Sequence, residues 1–431
     1  MQNCHFGKTR LGKSNVVKLI AQSLIETTKN KDNVGQLIFD INGEYANDNP
    51  QDDNFSIRSA YPDRCVVYAL TKKEKTPSKE LKLDFYEHPR DSHRIIRTLL
   101  REDGRSSVYI ERFLSVDLPT IEQIAELDFG DKNRAEREIL IYWAILKKAG
   151  FNEDERKLKS RLNLRTKFND TAMQQIFGAD KTKWLVPNSL DELIDFFEKA
   201  AASDRAAKLP SSTKGKHLFD ANDEALLNFL LPTSTVSAGP GLLQKLRKYH
   251  SYKAGNFVSE ILSELDAGKT VIVDLGNADE EVMQYFSREL SQAVFYHQTD
   301  KFTNNKLGDY YIQLYFEEAH NLFKDNDNSE ETRVYRRFAK EGAKYHIGMV
   351  YSTQSPTTIL SDLLAQTENF FVAHLASLDD VNKLAKVNVA YDSLKYDILR
   401  AKTPGYVRML TKSHRFVVSM QALKFTPVRS S

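Results

Sequence analysis

Apolar residues along this chain follow two rhythms. The first is a set of short, nearly uninterrupted runs: Cys4–Phe6 (CHF), Gln36–Asp40 (QLIFD), Arg64–Leu70 (RCVVYAL), Gly268–Leu275 (GKTVIVDL), Tyr310–Phe316 (YYIQLYF), His346–Ser352 (HIGMVYS), Phe370–Leu375 (FFVAHL) and Gly405–Leu410 (GYVRML). Such runs read as strands buried on both faces. Between several of them the spacing is helical. In Asn15–Thr28, Val16, Val17, Leu19, Ile20, Leu24 and Ile25 fall on one side of a helix, and helices are also expected over Glu280–Tyr296 and Thr332–Glu341. Strands alternating with helices predict parallel βαβ units, whose ligands bind beyond the carboxyl ends of the strands. From about Ser92 to Phe229 the second rhythm takes over, with long amphipathic stretches such as Arg134–Ala149, Leu190–Ala202 and Glu224–Leu231. Lys208–Lys216 (KLPSSTKGK) reads as an exposed loop within them. The pattern predicts an α/β core with a mostly parallel sheet, encoded by residues 1–91 and 231–431 and interrupted by a large helical insert over 92–230.

The first strand runs into Gly7–Ser14, GKTRLGKS, which fits the phosphate-binding loop pattern. Glycine at both ends lets the backbone curl around an anion with its N–H groups inward. The helix that follows adds its N-terminal dipole. Lys13 is placed to reach the β- and γ-phosphates and Ser14 to hold Mg²⁺. Gly7, Lys8, Thr9, Gly12, Lys13, Ser14 and the adjacent Asn15 are therefore the candidate nucleotide-binding residues.

Three further strand ends carry polar groups toward the same crevice. Tyr310–Phe316 ends in Glu317-Glu318, His346–Ser352 leads into Gln354, and Gln36–Asp40 leads into a turn containing Glu44. A nucleotide hydrolase needs one carboxylate for the metal's water shell and another to polarise the attacking water. Glu317 fits the first role, with Ser14 as the other metal-side residue, and Glu318 the second. Gln354 is placed to sense the γ-phosphate or the attacking water. Asp40 and Glu44 either contact the nucleotide and its waters or cap the turn. His320, with no second ligand at metal spacing, reads as a structural hydrogen-bonding residue.

Composition narrows the picture. The 431 residues carry a formal net charge of +2, so no global basic field announces nucleic acid and any such contact is local. The run Glu153–Arg165 (EDERKLKSRLNLR) offers either a basic helical face for nucleic acid or a solvated, self-balanced one. Two distant cysteines, Cys4 and Cys65, suit a reduced compartment. With no apolar run long enough to cross a bilayer, a soluble, cytoplasmic protein without a membrane partner is expected.

The segments FGKTRLGKSN, LIFDINGEY, TVIVDLGNADEE, LYFEEAHNLF and GMVYSTQSP, in this order, resemble the HerA branch of the HerA/FtsK hexameric translocases. The resemblance implies a RecA-like P-loop ATPase core using ATP and Mg²⁺. It also implies self-assembly into a homo-hexameric ring, double-stranded DNA as the partner in the pore, and a nuclease or other effector protein alongside. It gives Lys13 and Ser14 the phosphate and Mg²⁺ roles, Glu317 the metal-binding acid, Glu318 the catalytic acid and Gln354 the sensor. The chain departs from the family pattern in four places. Arg10-Leu11 replace two small residues in the loop, and Glu317 stands where Asp is usual. Lys340-Glu341-Gly342-Ala343-Lys344 replaces a segment that supplies an arginine to the neighbouring subunit, leaving Arg336 or, as the catalytic candidate, Arg337 for that role. The β-barrel that precedes the P-loop in the family is expected to be missing. A nucleotide-dependent scaffold in an antiphage defence complex and a conjugation or secretion ATPase are the alternative readings.

Overall fold

Ten strands of one sheet organise the larger part of the described residues. The computed structural model describes residues 2–7, 12–102, 107–165, 168–232, 239–254, 257–276, 278, 280–323 and 333–428. These fall into two compact units, Met1–Leu81 with Asn256–Ser431, and Lys82–Gly255.

The first unit holds strands β1 (Gln2–Phe6), β2 (Val34–Asp40), β3 (Cys65–Ala69), β4 (Lys79–Glu80), β5 (Thr270–Asp274), β6 (Tyr311–Phe316), β7 (Ile347–Thr353), β8 (Asn369–Val372), β9 (Tyr406–Leu410) and β10 (Val418–Gln421). Their order across the sheet is β10-β9-β8-β1-β7-β6-β2-β5-β3-β4. All pairings are parallel except β8 with β9 and β9 with β10. Every residue of β1, β5 and β7 is buried, as the uninterrupted apolar runs require for strands covered on both faces. Helix α1 (Lys13–Thr28) follows the phosphate-loop segment, α2 (Glu280–Thr303) precedes β6, and α3 (Arg333–Glu341) precedes β7. The α1 face carrying Val17, Ala21 and Ile25 packs on Ile38, Ile272, Tyr315 and Val350 of the central strands. β10 lies outside the expected strands. It is a short edge strand with alternating rather than continuous burial, a weak signal in sequence.

The second unit is helical, built around Phe129–Lys148, Leu190–Ala206 and Ala221–Leu230. Ile139 through Leu146 are all buried, and Phe113 stacks on Phe229 with ring centroids 3.8 Å apart. Arg137 donates from Nε and Nη2 to the two oxygens of the fully buried Asp223, a paired geometry that compensates the burial of that charge. The unit is wider than the expected 92–230. Leu83, Phe85 and Tyr86 are buried in it, Phe85 stacks on Phe151, and the Phe85 N–H donates to His250 Nδ1. These flanking segments are short and non-helical, so amphipathic periodicity does not reveal them. The run Glu153–Arg165 takes the self-balanced course: Lys157 pairs with Asp84, Arg161 with Glu87, and Lys159 with Glu155.

Burial raises two acids of this unit above their ordinary range, Asp223 and Glu138. Burial pushes Glu138 up to about 7, reinforced by Asp223 and Asp220 and opposed by the Asn222 hydrogen bond and Arg137. The folded state thus holds this proton more tightly than the unfolded chain, whose glutamate titrates near 4.5. Stability is gained as pH falls from above 7 toward that value, and is lower where the carboxylate is charged. Glu138→Gln is expected to raise the melting temperature at pH 8 by about 3 °C, the shift that ~1 kcal/mol gives in a domain of this size. The gain should shrink at pH 5; thermal melts at both values check it.

Candidate functional site

Because β1, β7, β6 and β2 are consecutive in the sheet and mutually parallel, their carboxyl ends lie side by side. Gly7, Gln354, the Glu317-Glu318 pair and Asp40 are thereby brought to one edge. Gly7 N–H donates to Thr353 O at 3.2 Å, fixing the start of the loop against β7. At the other end Gly12 is the N-cap of α1 with φ of 93°, a left-handed conformation that glycine adopts without penalty. Lys8 and Thr9, together with Arg10-Leu11, lie outside the described residues.

Lys13 Nζ sits 2.8 Å from Glu318 Oε1, and both side chains are largely shielded from solvent. Gln354 Nε2 lies 3.4 Å from each oxygen of the same carboxylate, and His320 Nδ1 is 3.4 Å from Oε2. Glu318 itself has φ 43° and ψ 48°. A non-glycine residue held in this left-handed region costs about 1–3 kcal/mol. The strained turn aims the carboxylate at the phosphate-loop lysine rather than along the strand.

Glu317 points to the other side of the turn and is buried. Its Oε1 accepts from Tyr45 Oη at 2.9 Å, Ser14 hydrogen-bonds it as well, and Oε2 has no hydrogen-bond partner among the described residues. Burial, reinforced by the carboxylates of Asp40 and Glu44, pushes Glu317 up to about 8. A buried carboxylate with an unused oxygen, a serine hydroxyl beside it and two further acids nearby lacks a positive charge. No cluster of three or more His, Cys, Asp or Glu residues among those described could hold a metal by itself. The residues therefore suit a divalent cation that keeps most of its water and takes one or two protein ligands, as Mg²⁺ does.

Asp40 caps the turn that follows β2. Oδ1 accepts from Glu44 N, and Oδ2 from Tyr45 N and Ala46 N, each at 2.9 Å. Burial pushes this carboxyl up to about 7, with Asp274 adding to the effect and the three N–H groups opposing it. Asp40 thus builds the turn that presents Tyr45 to Glu317, and Glu44 enters through its backbone and its charge. Asn15, also expected at the nucleotide, has both ends of its side-chain amide engaged by residues 423 and 425. Arg337 lies on α3, with its guanidinium 4.0 Å from the Phe295 ring centroid and Nε 3.5 Å from Glu341. Lys340 of the divergent segment pairs with Asp362. Tyr45 ends the segment LIFDINGEY but receives no role of its own from the sequence; its contact with Glu317 becomes visible only in the fold.

Comparison with known proteins adds a family. The family described as "Helicase HerA, central domain" matches residues 4–294. Two curated relatives are DNA double-strand break repair helicase HerA proteins. That of Sulfurisphaera tokodaii is 21% identical over 141 residues, covering 32% of this chain and 28% of that protein. That of Pyrococcus furiosus is 22% identical over 198 residues, covering 39% and 35%. The matched regions thus span about a third of the length of these relatives. Among solved structures, the bacterial conjugative coupling protein TrwBdeltaN70 aligns at 11% identity with a TM-score of 0.47, over 100% of this chain and 87% of that one. VirB4 of Thermoanaerobacter pseudethanolicus aligns at 15% identity with a TM-score of 0.42, over 98% and 90%.

Removing the Asp40 carboxylate leaves three N–H groups without their acceptor. Asp40→Ala is expected to lower the unfolding free energy by about 1–3 kcal/mol in a denaturant titration. Unchanged stability with lost nucleotide affinity would instead place Asp40 in the nucleotide site.

Proposed function

Since the chain belongs to the Helicase HerA central-domain family, P-loop ATPases by class, we propose that it is an ATP-hydrolysing motor that translocates or unwinds double-stranded DNA. It would work as a homo-hexameric ring, alongside a nuclease or other effector protein. The observation that carries the reading is the convergence of Lys13, Glu318 and Gln354 at neighbouring strand ends, with Glu317 and Ser14 beside them.

In this reading ATP lays its phosphates along Gly7–Ser14, where backbone N–H groups and the α1 dipole favour the charge. The γ-phosphate draws Lys13 away from Glu318, leaving that carboxylate to accept a proton from the attacking water. Gln354 then hydrogen-bonds the γ-phosphate or the water, and through β7 reports the bond's cleavage to the sheet. Ser14 and Glu317 would hold Mg²⁺, which when bound would supply positive charge to the phosphate oxygens. Arg337 serves a neighbouring subunit's nucleotide. The left-handed backbone at Glu318 supports the assignment, since strain of this kind persists where the surrounding structure holds a side chain in a working direction.

Purified protein is expected to hydrolyse ATP with Mg²⁺ and to do so faster with double-stranded DNA. Glu318→Gln should lower turnover by about 10²–10⁴-fold while keeping nucleotide binding, and Lys13→Ala should lose both. Steady-state phosphate release and nucleotide titration read these outcomes. Nucleotide binding with turnover indifferent to DNA of every form would remove the motor and leave the scaffold reading.

A further inference from the structure

Beyond β10 the chain leaves the sheet edge and crosses α1. Ala422 N–H donates to Gly405 O, and then the side-chain amide of Asn15 grips the backbone at two points. Asn15 Nδ2 donates to Leu423 O at 2.7 Å, and Phe425 N–H donates to Asn15 Oδ1 at 2.7 Å. About two turns further along α1, Gln22 Nε2 donates to Thr426 O at 2.8 Å. Between these polar contacts the Phe425 ring is fully buried in the cluster formed by Val17, Ala21, Ile25 and Tyr45. Lys424 reaches Asp53 at 2.7 Å. This strap over 422–428 is therefore fastened by backbone, side-chain and apolar contacts to the helix that begins with Lys13 and Ser14.

The attachment is asymmetric along α1. Asn15 is the third residue of the helix, directly after Ser14, so the amide grip acts on the turn whose N–H groups face the phosphate position. Gly12 lies against Gly405 at the start of β9, close enough that a Cβ on Gly12 would stand 3.5 Å from Gly405 N. The two ends of the β9–β10 hairpin thus meet the start of this helix, one at Gly12 through Gly405 and one at Asn15, directly after Ser14, through the strap.

We propose that Asn15 is a positioning residue, acting through the strap, and that docking of residues 423–426 on α1 and occupancy of the phosphate loop favour one another. The inference rests on the nucleotide-binding reading of Gly7–Ser14. A helix turn held by the strap presents its N–H groups, Lys13 and Ser14 in one arrangement, so nucleotide binds the docked state more tightly. By reciprocity, nucleotide holds the strap in place. Segment 422–428 is then a point at which any partner that pulls it away would weaken ATP binding without touching the nucleotide.

The test uses the full chain, with ATPγS and Mg²⁺ as the probe. Phe425 is remote from the phosphates in function and touches α1 through its apolar face. Phe425→Ala is expected to weaken ATPγS affinity about tenfold, within the usual range of coupling between sites, while Phe425→Leu, which keeps an apolar anchor, restores most of it. In the unaltered protein, saturating ATPγS should slow hydrogen exchange of the amides at 423–426, a readout that holds even if Phe425→Ala does not fold. Wild-type binding with no added protection of 423–426 would overturn the proposal, as would a folded Phe425→Ala protein with unchanged affinity. No ATPγS binding by the wild-type chain would remove the nucleotide reading itself, and this inference with it.

Discussion

The placement of β6 between β2 and β7 is the constraint on which the site depends. Tyr315 lies opposite Ile38 on one side and Val350 on the other, and Phe316 stacks on Phe39 with centroids 5.0 Å apart. This register sets Glu317 and Glu318 at the same level as Asp40 and the residues leading to Gln354. A slip of one residue would turn every β6 side chain to the opposite face and carry Glu318 away from Lys13. The stacked Phe39 and Phe316 rings and the buried Tyr315 favour this register.

What the sheet secures, the site spends in part. Asp40 and Glu317 are buried near each other, Asp274 is buried beside Lys73, and Glu318 occupies an unfavourable backbone region. Acids brought together in this way destabilise a fold unless cations or donors compensate them. The compensation is divided: three backbone N–H groups for Asp40, Lys73 and Asn47 for Asp274, Lys13 for Glu318. Among the described residues Glu317 is met by only the Tyr45 and Ser14 hydroxyls, so it gains most from an added cation.

The elements that sequence made legible are those governed by local pattern. Uninterrupted apolar runs located the central strands because parallel strands are buried on both faces, and glycine spacing marked Gly12, which takes a left-handed backbone ahead of α1. Roles settled by distant contacts were not legible. Asp40 and Asn15 are both polar residues at suggestive positions, yet their side chains are engaged by backbone groups four to six residues away in one case and across the whole chain in the other. Likewise Leu83 and Phe85 look like loop residues until Phe151 and His250 are brought against them. Nothing in the periodicity of a short segment records which remote residue will meet it.

The helical unit closes on itself where it begins and ends: Leu83 N–H donates to Tyr249 O, and Ser251 N–H donates to Leu83 O. This stitch has a kinetic meaning. β5 must pair with β2 and β3 although a long insertion separates them in the chain, and the entropy of closing such a loop rises with its length. Once the insertion has folded and joined its own ends, the path from β4 to β5 behaves as a short connection. Assembly of the ten-stranded sheet then becomes a more local event, which would make the insertion a folding aid to the strands on either side of it.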